Sequence, residues 1–97
     1  MIPIQFHPEA EGELLEAQAW YRERSDVAAQ AFALDVDRAL NTIAFAPERW
    51  PLRQHGERRL ILSRFPYSVL YRVRADAIFI TAIAHQRRRP GYWGHRR

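Results

Sequence analysis

The chain has 97 residues, 47% of them apolar and 27% charged, with a formal net charge of +4 and no cysteine. That length suits one domain, residues 1–97, with a thin core, and the composition excludes a disordered chain. The missing cysteines exclude a disulfide scaffold and a thiolate zinc site and fit a reducing, cytoplasmic setting.

Ile2 to Phe6 reads as a short strand with Ile2, Ile4 and Phe6 on one face. Pro8 then opens a helix. Proline suits a first turn, and Glu9, Glu11 and Glu13 complement the positive helix N-terminus. Ala10, Leu14, Ala17 and Tyr21 recur at helical spacing, Leu15 and Trp20 widen the apolar stripe, and the Trp20-Tyr21 pair reads as core. Glu9, Glu11, Glu13 and Glu16 together read as a helix face and not as a site. Ser25 and Asp26 form a break and offer capping oxygens to a second helix, Val27 to Ala46. Its apolar face is Ala28, Phe32, Val36, Leu40 and Ile43, and Pro47 stops it.

Residues 47–56 are loop. Arg58 to Ser63 can form a strand, which Phe65-Pro66 breaks. Tyr67 to Arg74 alternates, with Tyr67, Val69, Tyr71 and Val73 on one face and Ser68, Leu70, Arg72 and Arg74 on the other. Ala75-Asp76 turns the chain into Ala77 to His85, the most apolar strand and therefore the central one. The order β-α-α-β-β-β predicts an α+β fold: a helical hairpin on one face of a mostly antiparallel sheet. The other face then carries arginines. The apolar run Ala77 to Ala84 is too short to span a bilayer. Met1 to Ala10 has neither a basic start nor an apolar stretch, so no signal peptide is expected.

Charge is split along the chain. Residues 1–46 hold 3 Arg and 8 acids, whereas residues 47–97 hold 12 Arg and 3 acids, and lysine is absent. Arginine grips phosphate in two places and stacks on bases. The basic half therefore asks for an acidic partner, nucleic acid or an acidic protein segment. The densest constellation runs from His85 to Trp93, where Arg87, Arg88 and Arg89 mix with Tyr92 and Trp93. Such a tail is either a single-stranded nucleic-acid site or a solvated basic tail anchored by its rings. His85 can act as general base or acid, or can cap the strand end. Tyr92 is an acid–base candidate where nearby arginines lower its pKa, and a packed anchor otherwise. Arg64 can steady a phosphate or pair with a surface acid. The histidines share no metal-ligand spacing with acids, so no metal and no cofactor are expected.

Several stretches together resemble the RelE/ParE toxin family. They are Phe6-His7-Pro8-Glu9-Ala10, Trp20-Tyr21, Ile43 to Trp50, Arg58-Arg59, Arg64 to Arg72, and Ile78 to His85 running into Arg87 to Trp93. The resemblance implies the toxin of a type II toxin–antitoxin pair, neutralised by a cognate antitoxin whose extended tail wraps it. RelE-like members cleave mRNA on the ribosome without metal, and ParE-like members inhibit DNA gyrase without being nucleases. The expectation is ribosome-dependent mRNA cleavage. Tyr92 or His85 would transfer protons, and Arg64, Arg72 and Arg87 would stabilise phosphate. Arg58, Arg59, Arg72, Arg88, Arg89 and Trp93 would bind nucleic acid. The alternatives are a gyrase inhibitor and an inactive toxin-like binding module. The resembling stretch has Arg58 and Arg59 where RelE-like enzymes carry lysines, and arginine cannot act as a neutral base.

Overall fold

The computed structural model describes residues 2–96. Met1 and Arg97, the ends of the expected domain, lie outside the described residues. The order is β1 (Ile4–Phe6), α1 (Pro8–Arg24), α2 (Asp26–Phe45), a short 3-10 turn (Gln54–Gly56), β2 (Arg58–Ile61), β3 (Tyr67–Val73) and β4 (Ile78–His85). The expected element order and α+β class hold, and the boundaries move by one or two residues. The largest differences are β1, which begins at Ile4 instead of Ile2, and β2, which ends at Ile61 instead of Ser63.

Both helix starts are capped by side chains. His7 Nδ1 accepts the Glu9 amide proton at 3.0 Å, with Pro8 in the first turn. Ser25 Oγ accepts the Ala28 amide proton at 3.1 Å, so one residue ends α1 and begins α2. The helices lie on one face of a four-stranded sheet ordered β1-β4-β3-β2. β4 is central, parallel to β1 and antiparallel to β3. That position explains its almost unbroken apolar run, because it is covered on both faces.

The main core joins Phe32, Val36 and Ile43 of α2 to Val69 and Tyr71 of β3 and to Ile78, Ile80 and Ile83 of β4. Tyr21 packs there too, but Trp20 and Leu15 are exposed. The reading of Trp20 as core is therefore corrected: it sits one helix position past the buried stripe. A bulge also breaks the alternation of β4. Leu70 pairs with Ala82 and Tyr71 with Ile80, leaving Thr81 as the extra residue. As a result Ile80 and Ile83 both face the helices, and the small Ala82 and Ala84 face the other way.

The second sheet face is not an open arginine surface. Leu70, Ala82 and Ala84 form a smaller cluster capped by Tyr92 and Trp93 of the C-terminal tail. Ser68 and Leu70 are buried, and only Arg72 and Arg74 of that row reach solvent. No helix among the described residues is long and apolar enough to cross a membrane.

Candidate functional site

The tail turns back at His85 and is tied down at two points. The first is Glu13, on the inward side of α1. Glu13 Oε1 accepts the Ile83 amide proton at 3.0 Å. Arg96 donates to both of its oxygens, at 2.9 and 3.1 Å, and also to the Thr81 carbonyl at 3.1 Å. The Tyr92 hydroxyl donates to Glu13 Oε2. The Arg96 side chain is 5% exposed and that of Glu13 12%, so the pair is desolvated and bidentate. Glu13 is therefore more than one of four carboxylates on a helix face. It stands three residues after buried Ala10 and four before buried Ala17, inside the stripe facing the protein. A carboxylate in that stripe needs a partner, and that spacing was the available signal. Nothing in the local pattern pointed to Arg96.

The second point is Glu57, which is 7% exposed and accepts the Trp93 indole proton. Burial pushes its carboxyl above the usual value of 4.5, against the opposing pull of the Trp93 hydrogen bond and the charges of Arg72, Arg53 and His55. A carboxyl raised on folding binds its proton more tightly in the folded protein. Its contribution to stability is greatest below 4.5 and falls as pH rises through the raised value. Glu57→Gln keeps an acceptor for Trp93 and removes the titration. Thermal unfolding should show it more stable than the parent at neutral pH, with the two converging in acid. A less stable variant at neutral pH would mean that the arginine attractions outweigh the burial cost.

The sequence-predicted site residues separate into three groups. His85, Arg88 and Tyr92 line one recess of about 410 Å³, together with Glu13, Glu16 and Trp20. The His85 ring meets Tyr67 edge-on at 5.0 Å, and its Nδ1 accepts the Arg87 amide proton at 3.0 Å. The Arg88 guanidinium lies 3.8 Å over the Tyr92 ring. Burial, then the Glu13 hydrogen bond and charge, push the Tyr92 phenol well above its ordinary value. Lowering of this phenol by arginines, as the sequence suggested, is not the outcome. Arg88 and Arg96 do pull in that direction and are outweighed.

Arg59, Arg72 and Trp93 line a different recess, on the sheet face under the tail, and Arg59 and Trp93 meet His85 and Arg88 in a smaller one beside it. Arg58 belongs to none of them: it donates to the Trp50 carbonyl and clamps the 47–56 loop to β2. The Tyr71 hydroxyl holds the same loop through the Pro47 carbonyl at 2.7 Å. Arg64, Arg87 and Arg89 are exposed and line none of these recesses. Among the described residues no cluster of three or more His, Cys, Asp or Glu is placed to hold a metal ion.

Residues 4–90 match the family described as ParE toxin of type II toxin-antitoxin system, parDE. A solved structure of the chromosomal ParDE TA system from P. aeruginosa contains a chain of similar fold, with a TM-score of 0.74 and 22% identity. The match covers 88% of this chain and 96% of that one. Comparison with curated proteins yields no match. The family match spans nearly all of the helical hairpin and sheet just described, and on that ground the chain belongs to the ParE toxin family of type II toxin–antitoxin systems.

Proposed function

We propose that this toxin arrests growth by binding DNA gyrase, with no catalytic step, and that its cognate antitoxin relieves the arrest. One observation carries the reading: the two groups best suited to move protons in RNA cleavage already hold hydrogen-bond partners within the chain. His85 Nδ1 accepts the Arg87 amide proton. The Nδ1 lone pair is therefore occupied and not open to a 2′-hydroxyl proton. The Tyr92 hydroxyl donates to Glu13 and stays protonated. Glu13, which lines the same recess, is already paired with Arg96, and Glu16 adds a second carboxylate to the lining. Exposed Arg64 and Arg87 lie outside it. A binding surface needs none of these groups to convergence on a reacting atom.

The test is induction in a bacterial host, with and without the antitoxin, following growth, mRNA 5′ ends and plasmid supercoiling together. Growth should stop, plasmids should lose negative supercoiling, and translated messages should show no new ends. His85→Ala and Tyr92→Phe should leave the arrest undiminished. New cleavages inside messages that vanish in Tyr92→Phe would replace this reading with ribosome-dependent mRNA cleavage. Harmless expression with normal supercoiling would point to an inactive binding module.

A further inference from the structure

The sheet face away from the helices carries two recesses that run together beneath the tail. The larger, about 620 Å³, is lined by Arg53, Arg59 and Arg72. The smaller, about 250 Å³, is lined by Arg59, His85 and Arg88. Arg59, Pro90 and Trp93 border both, so the two form one track with four guanidinium groups along it. The one carboxylate in its lining is Glu57, which is buried and bonded to Trp93. No described carboxylate lies within 4.0 Å of the Arg53, Arg59 or Arg72 guanidinium. The Arg72 Nε is itself buried and has no hydrogen-bond partner. A buried donor without an acceptor is costly, so the Arg72 fork is left unsatisfied by the protein itself.

Several unpaired forks in a row suit a polymer that presents one anion per unit better than a single acid. Guanidinium forks match phosphate oxygens in pairs. The recess is concave and bordered by Trp93, a combination that suits an unstacked strand. We propose that this track binds the phosphodiester backbone of a single strand of nucleic acid, without reading its sequence. The inference stands apart from the gyrase reading, since it concerns the isolated chain and oligonucleotides.

Fluorescence anisotropy of the full chain with labelled single strands of about 12 nucleotides tests it. Log affinity should fall with log salt at a slope of about −2 to −3, as three or four neutralised phosphates require. Arg59→Gln, Arg72→Gln and Arg53→Gln should each weaken binding about tenfold and flatten the slope by about 0.7. Arg53 is exposed, so its variant folds whatever happens to the half-buried pair. Arg38→Gln removes the same charge from an exposed position on α2 and should leave the slope unchanged. DNA and RNA of one sequence should bind alike. The proposal fails on any of four results: equal loss in Arg38→Gln, tighter binding of duplex, a strong preference for RNA, or equal competition by a polyglutamate peptide of the same charge. The last would make the track a site for acidic protein segments.

Discussion

Glu13→Ala is expected to cost about 3–5 kcal/mol of folding stability, the usual penalty for leaving one partner of a buried ion pair alone. The change strips Arg96 of two charge-assisted hydrogen bonds, the Ile83 amide of its acceptor and Tyr92 of its partner. At roughly 4–8 °C per kcal/mol for a domain of this size, the thermal midpoint should drop by more than about 12 °C. The tail should loosen with it, read as faster amide exchange from Arg88 to Arg96. The double variant Glu13→Leu, Arg96→Met should recover much of the loss, because neither charge is then buried without its counterpart. A loss below about 1 kcal/mol in the single variant would mean the pair is solvated and the tail held elsewhere. The measurement belongs on the free chain, since bound antitoxin raises apparent stability by mass action.

Phe32→Ala should cost a similar amount, about 3–5 kcal/mol, for a different reason. The Phe32 ring is fully buried on α2 and sits between Tyr21, Phe65 and Tyr67 at centroid separations of 5.1, 5.3 and 5.2 Å. Its removal leaves a cavity at the junction of both helices and the loop entering β3. Phe32→Leu keeps most of the volume and should cost less than half as much. Urea unfolding of the three chains reads both differences as shifts in midpoint at constant slope. A Phe32→Ala cost below about 1 kcal/mol would show that the aromatic cluster collapses into the gap.

The two variants mark where sequence was legible and where it was not. Phe32 was visible because α2 repeats apolar residues every three or four positions, and that period places one side of a helix in the core. The alternation of Tyr67 to Val73 revealed the helix-facing side of β3 in the same way. His85 and Tyr92 were visible as candidates by residue type, but the state of each depends on a neighbour: an amide for His85 and a carboxylate for Tyr92. Arg53 went unnoticed because it lies in a loop, and only the fold of that loop brings it beside Arg59 and Arg72.

The sequence by itself determined the two helices with the Ser25 break, the central place of the most apolar strand, the α+β class and the resemblance to toxins of this family. All of these rest on local periodicity, capping residues and the order of short motifs, which a single chain carries openly. Tertiary structure decided the rest. The Thr81 bulge turns Ile83 inward and leaves a shallow alanine floor, so Tyr92 and Trp93 can lie on it. The tail's path then sets Arg96 against Glu13 across 83 residues of sequence. Both depend on strand register and chain direction, which a residue does not reveal until its distant neighbours are in place.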